Sequence, residues 1–530
     1  MLPRLLSGKK VLLTTPIFYI NASPHIGHAY TLVLSEYLCR ALQLNGNSVV
    51  FTTGTDEHGE KVFRSAVKDG TEIYRYCDKQ SEQFQELARV YNVRVDSFIR
   101  TTEEQHKKMV NDVWRGLANK GFIGKDVYSG WYNVREESFV VERELLPHPT
   151  QKGAFVTAEG DQVTRVDEET YTLKMKDAIG DADRFINERV IYPSREKERL
   201  RDLADVRDIS ISRPISRLSW GVPLEQDPSC VAYVWFDALI NYYTLAARFG
   251  FFKRNSPQDN WYVAEPDKMV MVNVVGKDII KFHSMMLPLI SKMAELNFDH
   301  IVVSHQHWIK DNKKMSKSYG NVVDPFELVQ KYGPEMTKLY FLVYGPYMGD
   351  SDFSYAQINA MVDSFVDRFV NCFSRTLSAS ALKDTDFSGL TPADILLEQE
   401  FITVANKLIA DAQGNVDMEK SPEIAWESLV QYYDHVNQFM TSRAPWAIKG
   451  QPKQKAQVLS LMIYSLMLSV KPLSLFVPSF TSDISFLEVH TPTTTIEGLL
   501  AAIPPHKLPE LFEKGLQHKQ KFRRSKISVS

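Results

Sequence analysis

The chain has 530 residues, 44% of them hydrophobic and 24% charged, and a net charge of −3; this is a globular composition too long for one core, read as about two to four domains. The near-neutral balance excludes a wholly basic nucleic-acid binder and leaves only a local patch for such a role. Four widely separated cysteines, Cys39, Cys77, Cys230 and Cys372, exclude a CxxC zinc knuckle and give no disulfide framework, which favours a reducing compartment.

The amino terminus, MLPRLLSGKK, is basic, with no acid before Glu36, like the stub of an organelle presequence. Residues 9–120 then alternate strand and helix signals. KVLLTT reads as a strand, AYTLVLSEYLCRALQLNG as an amphipathic helix closed by Gly46, and SVVFTTG as a second strand. That order predicts a parallel α/β unit with ligands beyond the carboxyl ends of its strands. From 121 to 230 short alternating strands and a dense charge run (SREKERLRDLADVRDI) predict an inserted, partly β domain. Parallel-type strands resume at KMVMVNVVG and HIVVSHQHWI, so 231–325 reads as the second half of the α/β domain. A linking segment (326–365) and an α-helical domain (366–530) with a basic tail follow. The apolar run Val458–Val470 is shorter than the roughly 20 residues of a membrane span and predicts a buried helix.

Chemistry concentrates at two loops. PHIGH puts His25, Gly27 and His28 where a strand runs into a helix. Free N–H groups at a helix start suit phosphate, imidazoles donate to phosphate oxygens, and glycine lets a ligand approach the backbone. KKMSKSYGN places Lys314 and Lys317 on a short polar loop able to fold over a polyphosphate. Asp56, at a strand end, suits the α-ammonium of an amino acid. Gly276, in GKD after another strand, suits a close backbone approach. Trp235, Ala238 and Tyr242 share one face if their segment is helical.

HIGH early and KMSKS late, each at the end of a parallel-type strand, resemble the class I aminoacyl-tRNA synthetases. TTPIFYIN, TGTDEHGEKV, WGVPL, VWFDALINYY, VVGKDIIKFHSMMLP and KMSKSYGNVVDP narrow the resemblance to the methionyl-tRNA synthetase family, across most of the chain. The resemblance implies a Rossmann-like catalytic domain split by an insert and followed by a helical anticodon-binding bundle. It implies catalysis by His25, His28, Lys314 and Lys317, with Gly27, Gly276 and Asp278 joining them at ATP. It also implies a methionine site of Ile17, Tyr19, Asp56, Trp235, Ala238, Tyr242, Ile279 and His283. Asn371, Arg375 and Trp446, the last near a helix start, match the anticodon readers.

The implied reactants are L-methionine, ATP with Mg²⁺ and the acceptor end and anticodon of tRNA(Met). Where many relatives carry a zinc-binding cysteine, this chain has Asn133, so no zinc is expected. A monomer without membrane attachment is expected, in the mitochondrial matrix or, alternatively, in a bacterial-type cytoplasm. A tRNA binder that has lost activation is disfavoured by the intact signature motifs and Asp56, and a smaller nucleotidyltransferase would have no use for the long helical domain.

Overall fold

The computed structural model describes residues 6 and 8–511, except 134–137, 141, 143, 144, 149, 152, 158, 159, 204–207, 257, 258, 316–320 and 489–493. The first half alternates as its apolar periodicity dictates. β1 (Lys10–Thr14) and β2 (Phe18–Tyr19) lead to α1 (Ile26–Leu44), which the left-handed Gly46 terminates just beyond its end. β3 (Ser48–Asp56), α2 (Glu60–Asp69), α3 (Ile73–Val90), β4 (Ser97–Arg100) and α4 (Glu104–Asn119) follow. Two antiparallel strands of 11 residues, β5 (Ile123–Asn133) and β6 (Val163–Leu173), then form the body of the insert.

The chain returns through β7 (Val190–Tyr192), α5 (Val234–Arg248), β8 (Met269–Gly276) and β9 (Asp299–His305). The main sheet is entirely parallel. Its order is β7, β9, β8, β1, β3, β4, with β2 pairing the last residues of β3. β8 is buried on both faces, which is why MVMVNVV carries no alternation. Residues 121–230 are not all insert, because Val190–Tyr192 pairs in register with Ile301–Val303 and widens the sheet.

Two crossovers meet at β1. The chain leaves β1 towards β3 on one side, while β8 and β9 lie on the other. A sheet that reverses its order opens a crevice at that point, beyond the carboxyl ends of its strands. Thr14, Asp56, Gly276 and His305 end the strands around that crevice.

Helices α6 (Pro325–Tyr344), α7 (Pro422–Arg443) and α8 (Pro452–Ser474) dominate the remainder. α8 is long and apolar enough to cross a membrane, yet 89% of its apolar window is buried within the molecule, as the sequence predicts. One hydrophobic core runs without a break from Val11 and Phe51 through α1 and α6 to Leu461 and Leu508. At that junction the buried Lys338 ammonium reaches Glu36 at 3.3 Å and Glu335 at 3.6 Å. Arg40 pairs with Glu36 at 2.6 Å and donates to the Leu475 carbonyl at 2.7 Å, just past the end of α8. Charges buried this deeply persist only when each has a partner.

Candidate active site

His25 is the N-cap of α1. Its Nδ1 accepts the Gly27 N–H at 3.1 Å, and His28 Nδ1 accepts the His25 N–H at 3.1 Å, a capping box built from two imidazoles. The rings stack with centroids 3.7 Å apart. A ring nitrogen that accepts carries no proton, so Nε2–H is the donor of each neutral ring. Burial, reinforced by neighbouring His25, holds the His28 pKa well below its ordinary value. His28 therefore stays neutral, wedged between Phe18 and Phe84. A Cβ at Gly27 would lie 2.9 Å from the His25 ring. The space that glycine frees is thus filled by the capping imidazole rather than left open for a ligand.

These rings form one wall of a cavity of about 440 Å³ at the strand ends, within the range of small-molecule sites. It gathers the predicted His25, Gly27, His28, Gly276 and Asp278 with Ile17, Tyr19, Asp56, Trp235, Ala238, Tyr242, Ile279 and His283. Asp56 is buried at the last position of β3. Segment 234–248 is helical, so Trp235, Ala238 and Tyr242 do share a face. Trp235 stacks flat on Phe282 at 3.7 Å.

His283 sits in a π-helical turn, Phe282–Met286, of the kind that concentrates at functional sites. Its Nδ1–H donates to the Ile279 carbonyl at 3.0 Å, so Nε2 accepts the Tyr242 hydroxyl at 2.7 Å. Burial lowers the His283 pKa to about 4 and pushes that of the Tyr242 phenol well up. Both groups are neutral, as suits a compartment for an apolar side chain. Across the crevice, a Cβ at Gly276 would meet the Asp278 carboxylate at 2.7 Å. Desolvation raises the Asp278 pKa, but His307 at 3.4 Å outweighs that and holds the carboxyl below its usual range.

The backbone of Lys314 pairs with Ile309 in a short hairpin. The Lys314 side chain and all of Lys317 lie outside the described residues. Met315, between them, lines the cavity and brings that end of the loop to the two histidines.

The profile described as tRNA synthetases class I (M) matches residues 11–377. A protein named probable mitochondrial methionine–tRNA ligase from Dictyostelium discoideum is 34% identical over 466 residues, 84% of this chain and 79% of that protein. The chain belongs to the methionyl-tRNA synthetases. A methionine–tRNA ligase of Rickettsia bellii is 30% identical over 88% of this chain and 90% of its own length. The crystal structure of Mycobacterium tuberculosis methionyl-tRNA synthetase bound by methionyl-adenylate superposes with a TM-score of 0.77 at 28% identity, covering 90% and 94% of the two chains.

In this synthetase the sequence left several cavity residues unread. Lys61, His305, Gln306 and His307 also line it. His305 and its neighbours stand at the end of β9, and their strand-end position was the available signal. Beneath the floor, Glu57 takes a two-pronged ion pair from Arg100, at 2.6 and 3.2 Å. Asp237 is buried between His58 and His106. No local spacing signals either cluster.

Far from this cavity, Arg375 lies 4.6 Å over the indole of the half-exposed Trp446, and both line a second hollow. Asn371, one turn before Arg375, faces Asp367 at 3.4 Å and does not line that hollow. Trp446 is in a turn beyond the end of α7, not near a helix start; the left-handed Ala444 ends that helix. Asn133 ends β5 with its amide 3.3 Å from Asp161. Among the described residues, no group of three or more His, Cys, Asp or Glu is arranged to hold a metal ion.

Proposed function

We infer that the strand-end cavity is where L-methionine and ATP meet, and that the chain charges tRNA(Met) there as a methionine–tRNA ligase. The observation that carries this reading is one cavity shared by the stacked histidine pair, Asp56 and the neutral aromatic wall. The substrate's α-ammonium pairs with Asp56. Its thioether packs on Trp235, Tyr242 and Ile17, because sulfur bonds weakly to hydrogen but packs well on rings. Tyr19 and His283 close the compartment, while Asp278 and Gly276 take the ribose.

A methionine carboxylate oxygen then attacks the α-phosphorus of ATP. The bond to the bridging oxygen of the β-phosphate breaks, pyrophosphate leaves, and methionyl-adenylate remains. A ribose hydroxyl of the terminal tRNA adenosine next attacks the acyl carbon and displaces AMP. No covalent nucleophile is required; catalysis comes from alignment and from stabilising charge on the transferred group and pyrophosphate. The Nε2–H donors of His25 and His28 and the ammonium groups of Lys314 and Lys317 are assigned that task. Magnesium arrives on the phosphates of ATP. Arg375, Trp446 and Asn371 meet anticodon bases by stacking and hydrogen bonding.

A relative named as mitochondrial and one from a bacterium support a mitochondrial matrix enzyme of bacterial type; a monomer is our further reading. Homocysteine lacks only a methyl group, a difference of about 1–3 kcal/mol in an apolar pocket, so some misactivation accompanies the reaction. ATP–pyrophosphate exchange measured with each of the twenty amino acids tests the reading. Methionine alone should support rapid exchange, and a silent enzyme, or one faster with another amino acid, would refute it.

A further inference from the structure

Asp237, beside the cavity, is a carboxylate with no accessible surface. It sits in the first turn of α5, two residues past Trp235 and one before Ala238. His58 Nδ1–H donates to its Oδ2 at 2.6 Å, and His106 Nε2–H donates to its Oδ1 at 2.6 Å. Both imidazoles are buried, and His106 Nδ1 meets Thr244 Oγ1 at 3.0 Å, two turns further along the same helix. Each carboxylate oxygen is therefore matched to its own charge-assisted donor, the strong form of the bond.

The three residues come from three elements. His58 follows Asp56 by two positions in the loop leaving β3, where Trp220 packs on its ring at 5.3 Å and accepts the Gly59 N–H. His106 stands on α4, and Asp237 on α5. Burial alone would raise the carboxyl pKa, but the two histidines outweigh it and bring it to about 2. The Asp237 carboxylate thus stays ionised and able to accept both hydrogen bonds at working pH.

We propose that Asp237 is the positioning residue of the amino-acid site: by bridging His58 and His106, it sets the gap between the helix bearing Trp235, Ala238 and Tyr242 and the strand end bearing Asp56. Those two surfaces grip opposite ends of the same substrate. The proposal rests on the reading that the cavity takes methionine. The gap then acts as a gauge of side-chain length, and ATP, held on the other bank of the crevice, is indifferent to it.

The experiment is methionine-dependent ATP–pyrophosphate exchange on the full chain and on donor-removing and donor-preserving variants, with melting curves for each. Asn carries an N–H where His58 has Nδ1, and Gln carries one where His106 has Nε2. Asp237→Asn, His58→Leu and His106→Leu should raise KM for methionine about ten- to hundredfold, with KM for ATP within about twofold, because a charge-assisted bond is lost beside one substrate only. Activity with ethionine, longer by one methylene, should rise relative to methionine. His58→Asn and His106→Gln should recover most of the methionine affinity.

Folded Leu variants with an unchanged methionine KM overturn the proposal, as do equal losses for methionine and ATP. So does failure of the donor-preserving variants to outperform the Leu variants. Failure of every variant to fold also overturns it, since the cluster would then be a general prop of the core. A wild-type chain without methionine-dependent exchange refutes the methionine reading itself. An active wild type with insensitive variants refutes only the clamp.

Discussion

On the proposed reading His28 has two jobs for its two nitrogens, and one substitution separates them. Nδ1 caps α1 by accepting from His25 N, while Nε2–H points away from that bond. In His28→Asn the side-chain amide reaches the Nδ1 position and preserves the cap, but nothing reaches Nε2. The stability cost should be about 1–2 kcal/mol, from lost ring contact with Phe18 and Phe84 rather than from a lost cap. The catalytic cost is that of one preorganised donor to a charged transition state, about 3–4 kcal/mol, or two to three orders of magnitude in kcat. Pre-steady-state adenylate formation reads the rate constant of that step directly, and equilibrium binding reads methionine affinity, which should not move. A rate within about threefold of wild type, or a parallel collapse of methionine binding, would refute the assignment of Nε2–H to the transferred phosphate.

Tyr242→Phe removes the donor to His283 Nε2 and leaves a buried acceptor unsatisfied; methionine KM should rise by about 1–3 kcal/mol equivalent at unchanged ATP KM in the exchange assay. Trp446→Ala removes the platform under Arg375; KM for tRNA(Met) should rise by about 1–3 kcal/mol equivalent while exchange is untouched. Burial holds His283 and His305 near 4 and His300 near 3, all below 6.5. Below pH 6.5 the unfolded chain therefore binds protons the folded chain refuses. Stability should be full above that pH and fall steadily towards pH 4; urea midpoints at pH 7.5 and 5.0 read this, and an unchanged midpoint would refute it. His300→Gln should flatten the slope.

What the sequence made legible was what short spacings encode. Trp235, Ala238 and Tyr242 needed only a helical period to share a face, and PHIGH and GKD announced themselves by glycine at strand ends. The resemblance to a known family joined these pieces, which no spacing does by itself. Illegible were partnerships across long stretches of chain. Glu57 with Arg100 and Asp237 with His58 and His106 bring together residues that local patterning treats as ordinary turn or helix positions. Val190–Tyr192 is too short to show its pairing with β9, so the insert seemed to run on past it. Gly27 was read as an opening because sequence cannot show where the His25 ring folds back.

Lys338 has a consequence for anyone wishing to shorten this enzyme. Its partner Glu36 and Arg40, which shares that carboxylate, stand on the same helix that begins at His25, and Arg40 also grips Leu475. Cutting the polypeptide after 377, where the profile match ends, would strip Leu475, and Phe476 packed against Tyr37, from that helix. The stump would leave Arg40 without its carbonyl partner beside a bare apolar flank. A soluble minimal fragment is thus not to be had by deletion alone; the severed flank would have to be resurfaced first.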